Sequence, residues 1–170
     1  MKSLVIYFSR ADENYFGGSM KYIEKGNTEI VAEYIKEITG ADLFKVERKM
    51  PYSKEYMTCI REAQNEQRRG EFPELVNYLD DITDYDVIFI GGPVYWGTLP
   101  QPMFTELKRL DFNGKTIMPF TTHEGSGLAS VPSDVKKICK GATVKSGLAI
   151  VGSTVNTCKP KLEKWIKENL

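Results

Sequence analysis

Residues 86–102 have the sequence Asp-Val-Ile-Phe-Ile-Gly-Gly-Pro-Val-Tyr-Trp-Gly-Thr-Leu-Pro-Gln-Pro, in which an apolar run ends at an aromatic loop. The run Val87–Ile90 is typical of a strand covered on both faces, and the Gly-Gly-Pro sequence after it ends the strand abruptly. In an open parallel sheet, ligands bind beside the carboxyl ends of the strands. Because Tyr95 and Trp96 follow at this point, we predict that the loop stacks against a flat ring.

Strand and helix patterns alternate on both sides of this stretch, which favours a parallel sheet with helices on both faces. The predicted strands are 3–8, 42–46, 87–90, 115–120 and 142–151. The predicted helices are 28–38, 53–69, 101–110, 133–139 and 156–169. The second of these helices is highly charged with a thin apolar face, so we expect a solvated helix that only covers the sheet. The pattern indicates a doubly wound α/β fold.

Composition limits the classes of partner. A chain of 170 residues matches one domain, 1–170, and its 23 basic and 23 acidic residues cancel, which gives no indication of a nucleic-acid or anionic membrane partner. The apolar runs are strand-length, and the start of the chain lacks the apolar core and cleavage site of a signal peptide. We therefore expect a soluble, cytoplasmic protein.

The cysteines and the histidine predict no metal site. Cys59, Cys139 and Cys158 are odd in number and widely spaced, without a Cys-x-x-Cys pair, so we expect free buried thiols in a reducing compartment. His123 is the single histidine and cannot form a metal site unaided.

The segment Gly26-Asn27-Thr28 directly precedes the first amphipathic helix. Backbone N–H groups, two polar side chains and the positive end of the helix dipole converge there, which favours a phosphate. The alternative is that Asn27 or Thr28 only caps the helix. Since the aromatic loop is predicted at the same sheet edge, we prefer anion binding.

Three other phosphate motifs do not match. Gly26 is followed by Asn27 and not by Lys, which argues against a nucleoside triphosphatase. The segment 125–130 imitates a dinucleotide fingerprint, but it ends in serine and follows the fourth predicted strand rather than the first. A phospho-receiver domain would need aspartates where this chain has Ser9-Arg10 and Gly91-Gly92.

Four motifs together resemble the flavodoxin-like FMN-binding proteins. They are Tyr7-Phe8-Ser9, Gly26-Asn27-Thr28, Gly92-Pro93-Val94-Tyr95-Trp96-Gly97-Thr98 and Thr122-His123-Glu124-Gly125-Ser126-Gly127. Each motif is weak alone, but their order and their placement at three successive loops make the combination specific. The resemblance covers essentially the whole chain. It implies a five-stranded sheet of order 2-1-3-4-5 and FMN bound non-covalently across the first, third and fourth loops.

The resemblance also implies roles for individual residues. The phosphate would be held by Ser9, Asn27 and Thr28, with Arg10 or Lys25 as helpers. The ring system would be lined on one side by Pro93, Val94, Tyr95, Trp96 and Gly97, and on the other by Thr122, His123, Gly125, Ser126 and Gly127. His123 is the candidate catalytic residue, assisting proton transfer at the flavin, unless it only caps a turn.

Two departures from the family pattern bear on function. The segment Asp12–Lys25 interrupts the phosphate loop; it is either a surface excursion, a flap near the flavin or a contact within a homo-oligomer, with Gly17-Gly18 as its turn. The balanced charge differs from the acidic surface typical of flavodoxins that pass electrons to basic partners.

The sequence therefore leaves several functions open. The first is a flavodoxin-type carrier that exchanges electrons with a redox partner protein. The second is an oxidoreductase that uses nicotinamide and quinone substrates, as an NAD(P)H-dependent quinone or flavin reductase. A binding module without flavin is the third.

Overall fold

The computed structural model describes all 170 residues and contains eight strands and five α-helices. The strands are β1 (Ser3–Tyr7), β2 (Asp12–Phe16), β3 (Ser19–Ile23), β4 (Asp42–Lys45), β5 (Val87–Pro93), β6 (Thr116–His123), β7 (Thr143–Val144) and β8 (Leu148–Val151). The helices are α1 (Asn27–Thr39), α2 (Tyr56–Arg68), α3 (Gln101–Leu107), α4 (Val131–Ile138) and α5 (Lys159–Asn169), the last preceded by a 3-10 helix over Gly152–Thr157.

The central sheet is parallel and has the order β4-β1-β5-β6-β7, with β8 also paired to β6. Counting the main strands along the chain gives 2-1-3-4-5, so the predicted flavodoxin-like α/β fold is confirmed. The expected strand 142–151 is divided into β7 and β8. The break lies opposite Pro119, which has no N–H to give to the ladder between the pairs Ile117↔Val144 and Phe120↔Leu148.

The two faces of the sheet bury separate cores. Ile88 and Ile90 point into the core under α2, α3 and α4, whereas Val87 and Phe89 point into the core under α1 and α5. Because successive side chains of a strand alternate between faces, both faces of β5 need apolar residues. This explains the unbroken apolar run in the sequence.

The strands β5 and β6 are longer at their carboxyl ends than the apolar runs predicted. The ladder continues to the pair Pro93↔Thr122, so the first residues of both expected loops are strand residues. The helix ends shift by as much: α2 begins at Tyr56 rather than at 53, α3 ends at Leu107 rather than at 110, and α5 begins at Lys159 rather than at 156. The two strands therefore carry their loops directly to the edge of the sheet.

The interrupting segment after β1 folds as the antiparallel hairpin β2–β3, with the register Asp12↔Ile23 to Phe16↔Ser19. Its turn is Gly17-Gly18, where the φ angles are +64° and +90°. Glycine adopts such angles without steric cost, as two-residue hairpin turns require.

None of the helices has the length and apolarity that a membrane crossing requires.

Candidate functional site

A cavity of about 490 Å³ lies at the carboxyl ends of β1, β5 and β6. It is an open cleft within the size range of small-molecule and cofactor sites. The residues that line it are Arg10, Asn14, Tyr15, Asn27, Tyr56, Cys59, Ile60, 93–97 and 122–126. The three loops expected to meet at this edge of the sheet do meet there.

The cavity includes most of the predicted site residues, but not all. Ser9, Lys25, Thr28 and Gly127 are absent from its lining. Lys25 is exposed and forms an ion pair with Glu33 at 3.0 Å. The carbonyl of Gly127 accepts a hydrogen bond from Thr121 Oγ1 (2.8 Å), which shapes the loop after β6.

The start of α1 is capped by a residue from another loop. Gly26 occupies the N-cap position without a side chain, and Ser9 Oγ accepts a hydrogen bond from the Glu29 backbone N–H (3.0 Å). A Cβ at Gly26 would overlap Ser9 Oγ, so glycine is needed for this close approach. The backbone N–H groups of Asn27 and Thr28, at the positive helix end, have no acceptor within the protein; Asn27 lines the cavity, whereas Thr28 does not.

The side chains of Asn27 and Thr28 have different surroundings. Thr28 is 1% exposed, and its hydroxyl forms a 2.8 Å hydrogen bond with the Thr122 hydroxyl, which ties α1 to β6. Asn27 lines the cavity, and its Oδ1 is buried without a partner. A Cβ at Gly152 would overlap the Asn27 amide, so Gly152 makes room for that side chain. Asn27 is thus the polar side chain at this end that needs a ligand.

Trp96 and Gly97 form a tight turn at the mouth of the cavity. Their φ angles are +52° and +86°, and reciprocal hydrogen bonds join the backbones of Tyr95 and Thr98 at 2.7 and 3.3 Å. A positive φ costs a tryptophan ~1 kcal/mol or more. The turn is held by the Trp96 indole N–H, which donates to the Ile60 carbonyl (2.8 Å), and by the Gly97 carbonyl, which accepts from both the N–H and the hydroxyl of Ser130.

The two aromatic residues of this loop have different exposures. Trp96 lies against α2 and remains 47% exposed, so one face of the indole is available to a ligand. Tyr95 packs edge-on against Phe8 and Tyr52, with ring centroids 5.9 and 6.1 Å apart. Its burial raises the pKa of the Tyr95 hydroxyl well above the usual range. Trp96 is therefore the better stacking surface of the two.

His123 is held in a defined tautomer. The Gly125 backbone N–H donates to His123 Nδ1 (2.9 Å), so the neutral ring carries its proton on Nε2. Burial lowers the pKa of His123 from its usual value of 6.5. At neutral pH the ring is thus a hydrogen-bond donor through Nε2, while Nδ1 caps the turn, which is the alternative that the sequence left open.

Arg10 connects the hairpin to the chain that precedes α2. Its guanidinium donates to the backbone carbonyls of Glu13, Ser53 (2.8 Å) and Lys54 (2.8 Å), and its Nε is buried without a partner. No carboxylate pairs with it, so its positive charge adds to the field at the α1 end of the cavity. Arg10 therefore fastens the hairpin to the chain that precedes α2 and is not a free phosphate ligand.

Six lining residues were not among the predicted site residues: Asn14, Tyr15, Tyr56, Cys59, Ile60 and Glu124. The two tyrosine rings lie 5.9 Å apart, centroid to centroid, which joins the hairpin to the first turns of α2. The spacing of Tyr56, Cys59 and Ile60 at i, i+3 and i+4 predicts a shared helix face, but not that this face reaches a site. The expectation that α2 only covers the sheet is therefore incomplete.

Comparisons with known proteins agree with this fold. A family model described as flavodoxin matches residues 15–169. Among solved structures, a candidate flavoprotein from Bacteroides eggerthii is 24% identical with a TM-score of 0.78, covering 99% of this chain and 97% of that one.

Two further structures extend the comparison. A flavoprotein from Lactobacillus acidophilus in complex with FMN is 22% identical, has a TM-score of 0.62 and covers 91% of this chain and 96% of that one. Oxidised flavodoxin 2 from Bacillus cereus is 19% identical, has a TM-score of 0.57 and covers 99% of both chains. No curated protein matches the chain. At these identities the structures show a shared fold.

Proposed function

The chain belongs to the flavodoxin family, and on that premise we propose that it is a redox protein that binds FMN non-covalently and transfers electrons through it. One observation carries the proposal. A single cavity has unpaired polar groups at the α1 end and a half-exposed indole at the other end. FMN has a phosphate and a hydroxylated chain at one end and a flat ring at the other, which matches this arrangement.

The α1 end suits a phosphate that is attached to a polyhydroxy chain. Phosphate oxygens only accept hydrogen bonds, and they match the free N–H group of Asn27, which lines the cavity, and the charge of Arg10. Asn27 Oδ1 is an acceptor and needs a donor, which a ribityl hydroxyl offers and a fully ionised phosphate does not. Ser9 and Thr28 have their hydroxyls in internal hydrogen bonds, so we assign them to positioning.

The other end suits an isoalloxazine ring. The exposed face of Trp96 offers stacking, and the loops 93–97 and 122–126 bring backbone groups to the ring edges. His123 offers its Nε2–H as a donor, which is the role we propose instead of proton abstraction. When bound, the flavin supplies the redox chemistry, while the chain orients it and limits the access of water.

The α1 end also favours a mononucleotide. Gly152 packs on Asn27, and the hairpin tip approaches the next residue, with the position of a Cβ on Gly17 3.7 Å from Ser153 Cβ. We infer that these contacts leave no room beyond the phosphate for the adenylate of FAD. We propose that FMN is bound one per chain and that FAD is excluded.

Titration of flavin fluorescence tests the proposal. We expect FMN to be quenched at one equivalent, riboflavin to bind at least about tenfold more weakly because it lacks the phosphate, and FAD to bind weakly. Asn27→Ala should weaken FMN, whereas Asn65→Ala, on the exposed face of α2, should not. A protein that leaves FMN fluorescence unchanged would refute flavin binding.

A second candidate function is an NAD(P)H-dependent quinone or flavin reductase, favoured by the wall that the hairpin and α2 add to the cavity. Mixing the FMN-loaded protein with NADH or NADPH separates the candidates. Bleaching of the flavin within seconds supports the reductase. Flavin that stays oxidised with both nucleotides, but is reduced by dithionite, supports a carrier that receives electrons from a redox partner protein.

A further inference from the structure

Part of the cavity wall has no role in the arrangement proposed for FMN. Tyr15 comes from the hairpin, while Tyr56 and Ile60 come from the first turns of α2. We propose that this wall forms a subsite for a small, uncharged, planar aromatic molecule beside the flavin that stacks on Trp96. The inference rests on the proposed FMN function and names the acceptor class that the site takes.

Tyr15 is held in place although it is exposed. Its ring is 44% exposed, yet it lies 5.9 Å from the Tyr56 ring. The strand that carries it is attached on both sides, since the Glu13 N–H donates to the Lys54 carbonyl (3.3 Å) and Glu13 Oε1 accepts from the Tyr56 N–H (2.9 Å). A fixed, exposed aromatic ring in a cavity wall is a stacking surface for a flat ligand.

Trp96, whose exposed face is assigned to the flavin, is attached to the same helix. Its indole N–H donates to the Ile60 carbonyl, and its own carbonyl accepts from Gln67 Nε2 (3.3 Å). Tyr56 and Ile60 are one helical turn apart, so Tyr15 and Trp96 are attached next to adjacent turns of α2. The two half-exposed aromatic side chains thus border one apolar surface.

The charge of this wall favours an uncharged ligand. Two charged residues adjoin it and both are engaged: the Glu13 carboxylate accepts from the Tyr56 N–H, and three backbone carbonyls occupy the terminal nitrogens of Arg10. Asn14 Nδ2 is also engaged, by the carbonyls of Arg10 and Ala11 at 3.1 Å. Burial raises the pKa of the Cys59 thiol, which keeps it neutral. A dinucleotide would bring a pyrophosphate to a wall without a free cation, so a quinone-like ring fits the chemistry better.

A reduced FMN gives a hydride to the quinone, solvent supplies one proton, and the products are the hydroquinone and oxidised FMN. An external two-electron reductant must then restore the reduced flavin. In the experiment below that reductant is dithionite.

Calorimetry with menadione, an uncharged naphthoquinone, tests the subsite on the oxidised, FMN-loaded protein. We expect one menadione per chain, and Tyr15→Ala should weaken its binding by about three- to tenfold, the range typical of an aromatic pair. Tyr22→Ala is the matched control, because Tyr22 lies on the same hairpin, is 62% exposed and is not part of the cavity wall. The control should bind menadione like the unmodified protein.

A second measurement follows re-oxidation of the dithionite-reduced protein. Its rate should saturate with menadione, and Tyr15→Leu, which keeps an apolar side chain on the hairpin, should raise the half-saturating concentration. A rate that rises linearly and equally in both proteins would contradict the subsite. So would menadione binding that does not change in Tyr15→Ala.

The FMN titration separates this inference from the proposed function. If FMN does not bind, the proposed function itself is wrong. If FMN binds tightly and menadione does not, only the subsite is wrong. If Tyr15→Ala weakens FMN as much as menadione, Tyr15 is a wall of the flavin site, and the separate subsite is refuted.

Discussion

The cavity has two walls that are held in different ways. One wall is formed by the loops after β5 and β6, and it continues a strand ladder up to the pair Pro93↔Thr122. Buried or shielded hydrogen bonds fasten it further, among them Thr28–Thr122 and Thr98–Asp134. The other wall, the hairpin and the start of α2, depends on Arg10 and on two hydrogen bonds of Glu13, one from its backbone N–H and one to its carboxylate. Every residue of β3 except Ile23 is exposed.

The difference between the two walls gives them different roles, one in fixing the flavin position and the other in local opening. A wall that continues the ladder of the central sheet is anchored in its buried part, so we expect it to open at higher free energy and to fix the flavin position that we propose. A wall with few buried contacts can open locally at much lower free energy. We therefore expect substitutions in the first wall to change the free energy of unfolding, and those in the hairpin to change local opening and ligand selection.

The largest effect is expected for Gly91→Ala. A Cβ at this position would overlap the ring of Phe120, which is fully buried on the neighbouring strand. Overpacking of this kind costs about 3 kcal/mol at the upper end of its usual range. Urea denaturation measures it. Gly92→Ala is the control, because its nearest neighbour is the flexible end of Leu99 at 3.2 Å, and an equal loss in both variants would contradict the explanation.

The second effect concerns the hydrogen bonds by which Arg10 fastens the hairpin. Arg10→Ala removes two hydrogen bonds that tie the hairpin to the carbonyls of Ser53 and Lys54, and a third to Glu13 within the hairpin. Trypsin should therefore cut at Lys21 and Lys25 at least about tenfold faster, equivalent to ~1.4 kcal/mol of local opening. The urea midpoint should change much less than in Gly91→Ala. Arg61→Ala, on the exposed side of α2, serves as the control. Unchanged cleavage would show that the hairpin does not depend on Arg10.

A third test compares two glycines with similar backbone angles. Gly97 and Gly18 have φ angles of +86° and +90°, and no atom lies within 4 Å of a Cβ at either position. Alanine therefore costs about 1 kcal/mol of strain at each. We expect Gly97→Ala to lower the urea midpoint, because its turn is fastened to Ser130, and Gly18→Ala to leave it nearly unchanged, because the hairpin opens locally. Equal shifts would remove the distinction between the walls.

The smallest effect is the pH dependence of His123 in the first wall. Because burial lowers its pKa in the folded state, the unfolded chain binds a proton more readily. Stability should therefore decrease as the pH falls from about 6.5 through the folded pKa, and His123→Gln should remove this dependence. As the chain has one histidine, its ring protons titrate alone in an NMR spectrum. A pKa of 6.5 or above would contradict the prediction.

The first wall was predictable from the sequence because its signals are local. Apolar runs that end at Gly-Gly-Pro or before Thr-His identify strand ends, and parallel strands place those ends at one edge. The partner of Thr28 was not predictable, because Thr122 is 94 positions away and either threonine could face elsewhere. A helix cap and a phosphate ligand also use the same residue types.

The second wall was only partly predictable. Glycine identifies the turn at residues 17 and 18, but nothing local shows that Arg10 reaches residues 53 and 54 or that Tyr15 meets Tyr56. A short apolar face on α2 indicates burial and does not distinguish the sheet from a cavity. The division of the last strand depends likewise on Pro119 of a neighbouring strand.

The contact between Asn27 and Gly152 has a consequence for biosynthesis. The α1 end of the cavity is formed by Asn27 and Gly152, which are separated by most of the chain. This end therefore cannot form while the ribosome has delivered only the first strands. Folding that must join such distant segments is slow compared with helix and hairpin formation. A nascent chain therefore exposes its early aromatic residues before this end of the cavity has formed. Cofactor binding has to follow the emergence of Gly152, so it does not guide the folding of β1, α1 and β5.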